Sequence, residues 1–228
     1  MEPSIRRPWL AAVLNVFLIG CGHLYVGQAH RFFICLVAVV GGYLVLGWLG
    51  LLSSFLGFTA AIILFAALLI FAIVDAFLLA RRANPYTPKW YNRWYVYALW
   101  IAALAFASVA WPASRAQLLG YASYRVPGFA MAPSIANGDY IIVDTWAYRT
   151  AHPSPGEVVV VRVPETGVEY VRRIARQVSA QEVEFKTDNA DFASSGPGLR
   201  ALPTSAIVGK VTNVFFSPDL SRIGKRVE

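Results

Sequence analysis

Few side chains in this sequence are of a type that does chemistry, and their spacing limits what they can do. Ser134 sits in the turn-rich stretch RVPGFAMAPSIANGDYIIVD (125–144). A serine hydroxyl becomes a nucleophile only when a neighbouring base takes its proton, and by itself Ser134 reads as a hydroxyl that stabilises the turn. Lys186, just before Asp188 and Asn189, is expected to be a strand lysine facing solvent, and His152, in a proline-rich loop, a surface residue. The three histidines and two cysteines, Cys21 and Cys35, are too scattered to build a metal site, and no cofactor is expected. Asp75 stands inside an apolar run, where an acid is a functional candidate by default. Its place near the end of that run also suits a tolerated interfacial acid.

The elements that must position these groups fall into two halves. Of the 228 residues, 57% are hydrophobic and 14% charged, with the apolar residues concentrated in the first half. Residues 32–56 carry no charge and are long enough to cross a bilayer, 57–80 carry only Asp75, and 94–112 form a third span with aromatic ends. A first apolar segment, about 9–27, contains Asn15, His23 and three glycines; it could span, re-enter or lie at the interface. With no small-residue cleavage site after it, it is not expected to be a removable signal peptide. Its end, GCGHLYVGQAHR, resembles the turn of TM2-type membrane hairpins, a glycine-assisted tight turn between two helices. Residues 1–112 are thus expected to form a multi-span α-helical membrane domain. Arg81, Arg82, Lys89 and Arg93 place the loop before residue 94 in the cytoplasm, which delivers residues 113–228 to the extracytoplasmic side. The net charge of +7 is dispersed, so the expected partner is anionic membrane lipid and not nucleic acid. Both cysteines lie in the apolar half, so no disulfide is expected in the exported half.

From residue 121 the pattern changes to short β-branched runs. YIIVD (140–144), EVVVVRV (157–163), EYVRRIARQV (169–178), EVEFKT (182–187) and AIVGKVTNVFF (206–216) predict strands. Turns are expected at Asn137-Gly138, Pro155-Gly156 and Gly196-Pro197-Gly198. No helical period follows residue 120. An all-β domain, a strand-rich barrel or sandwich, is expected over 113–228.

Five segments in order now resemble bacterial signal peptidase I, the Ser/Lys membrane protease that removes signal peptides from exported preproteins. VPGFAMAPSIANGDYIIVD is similar to its nucleophile box, P-S-x-S-M-x-P-T followed by G-D and a strand. HPSPGEVVVVRVP (152–164), EYVRRIARQV, TDNADFASSG (187–196) and LPTSAIVGKV (202–211) are similar to its P-x-x-G-D strand, lysine-bearing strand, G-D-N box and closing strand.

The resemblance implies roles residue by residue. Met131, Pro133, Gly138 and Asp139 hold the loop, with Ser134 in a threonine position. The nucleophilic serine corresponds to Ala130, and the oxyanion-hole serine to Gly128. The lysine base corresponds to Arg172, with Tyr170 before it and Arg173 after it. Asp188 and Asn189 match the D-N box, although its glycine is Thr187. The pattern S-x-D-S-R that follows is broken, with Ala193, Ser195 and Pro197 at its Ser, Asp and Arg positions.

These departures decide the chemistry. A buried lysine can lose its proton and act as a base. Arginine stays protonated and offers no acceptor, and alanine can neither attack nor donate. Losing one oxyanion donor costs about 100- to 1000-fold in rate. The sequence therefore leans away from an enzyme. It is expected to be a signal peptidase I-like pseudoprotease of the bacterial inner membrane, multi-pass, that binds signal peptides or extended segments of exported proteins. The alternatives are an inactivated variant of a working serine endopeptidase, or a membrane scaffold or accessory protein with a β-domain cap.

Overall fold

The computed structural model describes residues 5–82, 85–179, 181–192 and 201–227, with the side chains of 110–113 outside that description. It divides into two compact units: Met1–Leu46 with Thr59–Ser114, and Gly47–Phe58 with Arg115–Glu228.

The first unit is helical. Pro8, whose missing N–H would be unsatisfied at a helix start anyway, opens α1 (Pro8–Phe17), and α2 (Cys21–Val26) follows after Gly20. Gly20 and Gly27, with φ of 94° and 89° in the left-handed region, flank α2 at its start and its end. A β-carbon on Gly22 would meet the Ala11 carbonyl oxygen at 2.1 Å, so α1 and α2 touch backbone to backbone there. Asn15 is fully buried and ties the hairpin together. Its Oδ1 accepts from the N–H of Gly20 and of Gly22 at 2.9 Å, and its Nδ2 donates to the Ala72 carbonyl at 2.6 Å. The first apolar segment is thus a turn between two short helices. Helix α3 (Ala29–Trp48) and helix α4 (Phe55–Arg82) are long and apolar enough to cross a membrane. The apolar stretches Pro8–Phe17 and Trp94–Val109, the latter within α5 (Trp94–Leu119), are shorter. On α4, Ala72, Ala76 and Ala80 are fully buried, and Ala11 and Val26 cluster with Ala76 and Ala80. Such small residues let helices approach closely. Asp75 is no isolated acid: His23 Nε2 lies 3.0 Å from its Oδ2, and Arg31 Nη1 donates to its Oδ1 at 2.7 Å.

The second unit is a seven-stranded antiparallel sheet in the order β1-β2-β7-β3-β4-β5-β6. Its strands are β1 (Tyr121–Arg125), β2 (Tyr140–Asp144), β3 (Val158–Arg162), β4 (Glu169–Gln177), β5 (Glu182–Lys186), β6 (Ala201–Pro203) and β7 (Ile207–Phe216). Register shifts in the β2–β7, β3–β7 and β4–β5 pairs are the irregularities that curl a sheet. The curled sheet has a core on each face, which explains the uninterrupted valine run of β3. Val158 and Val160 join Met131, Ile135, Ile141 and Val214, while Val159 and Val161 join Ile174, Val183 and Phe185.

Residues 47–58, where the expected spans 32–56 and 57–80 meet, group with this sheet unit. Gly50 at φ 68° breaks the helix, and Ser54 Oγ accepts from the Gly57 N–H to start the next. Leu52 is fully buried, Phe58 packs edge-on to Tyr121 with ring centroids 5.8 Å apart, and Thr212 Oγ1 donates to the Ser53 carbonyl at 2.7 Å.

Candidate functional site

Between β1 and β2 the chain makes a closed loop. The Val126 N–H donates to the Asp139 carbonyl and the Gly138 N–H to the Val126 carbonyl, both at 2.8 Å, so the neck is double-bonded. Gly138 sits at φ 88°, where a side chain would be strained. Met131 and Ile135 anchor the loop in the core. Asp139 is fully buried beneath it. Its Oδ2 accepts from the Ala136 N–H at 2.8 Å and from Arg222 Nη2 at 2.9 Å and Nε at 3.0 Å. Arg222 also donates to the carbonyls of Ser134 at 3.0 Å and Pro133 at 3.3 Å. Arg222 is thus the residue on which the loop closes, and sequence reasoning missed it. The only local signal is Asp219, which caps the short turn 220–222 by accepting from the Ser221 N–H at 3.0 Å.

The chain around Ala130 is held from the other side by Asp188 and Asn189. Their N–H groups both donate to the Ala130 carbonyl at 3.1 Å, and Asn189 Nδ2 donates to the Phe129 carbonyl at 3.1 Å. Arg173 grips Asp188 with two bonds of 2.7 Å, from Nε to Oδ1 and from Nη2 to Oδ2, and reaches Ser134 Oγ at 3.2 Å. The Ser134 hydroxyl therefore braces the turn. Lys186 pairs in register with Arg173 at the strand level, is exposed, and stands outside the cavity described next; His152 is exposed as well. Ala193, Ser195 and Pro197, with the Gly196-Pro197-Gly198 turn, lie outside the described residues.

Between the loop and β4 lies a cavity of about 370 Å³ that brings Gly128, Ala130, Met131, Tyr170 and Arg172 together. Ala130 offers a methyl group, and a β-carbon on Gly128 would meet nothing within 4 Å. Arg172 is only 6% exposed. Its Nη1 donates to the Val171 carbonyl at 2.8 Å and its guanidinium carbon lies 5.1 Å from the Tyr170 ring centroid, a cation–π contact. Its Nε is buried without a partner, and no carboxylate pairs with it among the described residues. Burial pushes its pKa below the ordinary guanidinium value, with Tyr170 opposing. From so high a starting point the group stays charged at neutral pH. The arrangement holds a guanidinium cation and a methyl group side by side, and neither accepts a proton or attacks.

The framework carboxylates set the acid limit of the unit. For Asp139, Asp188 and Glu157, burial alone raises the pKa, but bonds from Arg222, Arg173 and Lys210 respectively overcome it and hold each below its ordinary value. A depressed folded pKa contributes stability above the unfolded value, and that stability is lost as pH falls through the folded one. We expect the thermal midpoint of the sheet unit in detergent to stay level down to about pH 5 and to fall below about pH 4. Midpoints measured across this range check it, and a midpoint that rises on acidification contradicts it.

Residues 93–191 match the family model of signal peptidase, peptidase S26. That one match takes in the Ala130 loop, the Arg172 strand and Asp188-Asn189, and it bears out the resemblance read from the motifs. No curated protein matches the chain.

Proposed function

We propose that this protein, with a signal peptidase-like segment over residues 93–191 as the premise, is a non-catalytic relative that binds extended peptide segments of exported or membrane proteins. The observation that supports this reading is a hydrogen-bonded loop beside a cavity lined by Ala130 and Arg172, the positions that the motif resemblance assigns to the nucleophile and the base. The Arg222–Asp139 and Arg173–Asp188 pairs support a loop kept in shape. A loop retained without its nucleophile and base fits binding.

The strand edges give such a segment a place. β3 pairs with Glu169–Arg173 of β4 on one side, whereas β5 begins its pairing only at Arg173. Among the described residues one edge of Glu169–Arg172 is therefore left without a strand, and the cavity beside it is also lined by Tyr124–Gly128. An extended peptide adds to such an edge through backbone hydrogen bonds and needs no nucleophile. In the cell, we place α3, α4 and the apolar part of α5 in the bacterial inner membrane, with residues 113–228 on the extracytoplasmic side. The basic loop containing Arg81, Arg82, Lys89 and Arg93 supports that orientation.

The test is photo-crosslinking of signal-peptide segments to the full-length protein in detergent. We expect crosslinks at Tyr124–Gly128 and Val168–Arg172 that exceed those of a scrambled peptide. Equal labelling by the two peptides contradicts the reading.

A further inference from the structure

Arg172 is a buried cation that no carboxylate neutralises among the described residues. Nε has no acceptor, Nη1 has a single backbone carbonyl, and Nη2 makes no hydrogen bond among the described residues. A guanidinium carries five N–H donors, and a charged donor left unsatisfied away from water is costly. The acid that lines the cavity, Glu169, is already engaged: Arg162 Nε donates to its Oε1 at 3.0 Å. Arg125, exposed at the rim, adds a second positive charge. The cavity therefore has an anion deficit, and it adjoins a free strand edge.

We propose that the cavity is a receptor for the C-terminal carboxylate of an extended peptide, with a small last residue set against Ala130 and Gly128. This rests on the peptide-binding reading above and names its ligand. The backbone of the peptide pairs with the open edge of Glu169–Arg172, and its terminal carboxylate takes the free donors of the Arg172 fork. Planar fork-to-carboxylate pairing is the geometry arginine supports and lysine does not. The Tyr170 ring and the Val171 carbonyl hold the guanidinium in place beforehand, so little ordering remains for the ligand. The Ala130 methyl leaves room and presents no oxygen lone pair to a carboxylate, and the space at Gly128 is open. Walls made by Val126, Met131, Val160 and Val171 favour a peptide end over a strongly hydrated inorganic anion. A carboxylate at the end of such a segment comes from peptide-bond hydrolysis elsewhere or is the natural end of a chain, and the chemistry recognised is the same.

The experiment measures Kd for the full-length protein in detergent with three versions of one alanine-terminated, signal-peptide-derived segment: the free acid, its C-terminal amide, and the segment continued by further residues. The acid is expected to bind about 10- to 100-fold more tightly than the amide or the continued segment, the gain of charge-assisted hydrogen bonds. Arg172→Met is expected to bring the acid-to-amide ratio to about one, and Arg172→Lys to retain part of it. Equal affinity of acid and amide for the unaltered protein, or tighter binding of the continued segment, overturns the carboxylate assignment and leaves the peptide groove standing. Failure of all three peptides to bind overturns both. The peptide comparison needs no variant, so it decides the question even where Arg172→Met does not fold.

Discussion

Ala130→Ser and Arg172→Lys introduced together are expected to produce cleavage of a preprotein where neither substitution alone does. The serine supplies an oxygen, but without a base it remains a protonated alcohol. The lysine supplies the base because position 172 is only 6% exposed, and burial disfavours the charged ammonium. Members of such a unit are strongly non-additive, so one without the other recovers almost nothing. The double variant is expected to exceed either single variant by at least about 100-fold, the usual scale of a positioned general base. Adding Gly128→Ser, where a β-carbon meets nothing within 4 Å, is expected to contribute a further factor of about 100 or more by restoring a donor to the oxyanion. Mass analysis of a preprotein incubated with each variant in detergent reads these rates. Equal rates for Ala130→Ser and the double variant contradict the role given to position 172.

The second large effect is structural. Arg222→Met is expected to lower the stability of the sheet unit by about 3–5 kcal/mol, because it leaves a fully buried carboxylate without its partner. That is a large share of the roughly 5–15 kcal/mol that hold a typical domain together. The carbonyls of Pro133 and Ser134 lose donors in the same step, so the loss centres on the Ala130 loop. Denaturant unfolding followed by hydrogen exchange over 126–144 measures both the size and the place. Asp139→Asn combined with Arg222→Met is expected to cost less than the sum of the two single changes, as coupled residues do. A loss below about 1 kcal/mol for Arg222→Met, the scale of an exposed pair, contradicts the buried-pair argument.

Much of the sheet was legible because its strands announce themselves. The β-branched runs of β2, β3, β5 and β7 are local signals, and the structure places strands at each. β1, with the sequence YASYR, has no β-branched residue, and β6 is three residues long. Both exist through pairing with distant partners, which periodicity does not register. Arg222 escaped for the same reason: its carboxylate partner lies 83 positions away. The packing of residues 47–58 was not legible, because an apolar residue packed against a sheet and one facing lipid look alike in sequence. Phe58 meets Tyr121 and Leu52 is buried. Asp75 gave a signal as a lone acid in an apolar run, but its pairing with His23 and Arg31 depends on how three helices meet.

The site shows a similar division. The residues at positions 130, 128 and 172 were legible in the sequence, but the roles given to them came from the motif resemblance. Their gathering around one cavity is a property of the fold, as is the unpartnered Nε of Arg172. Sequence places a cation there; only packing shows that no carboxylate pairs with it among the described residues.

Binding without cleavage is tested most directly by capturing a signal-peptide-bearing precursor on the unaltered, full-length protein and weighing the bound precursor by mass spectrometry after long incubation. We expect it to be retained and recovered at its full mass. Recovery of a fragment shortened at the signal-peptide junction, produced by this chain with Ala130 and Arg172 in place, would contradict the reading.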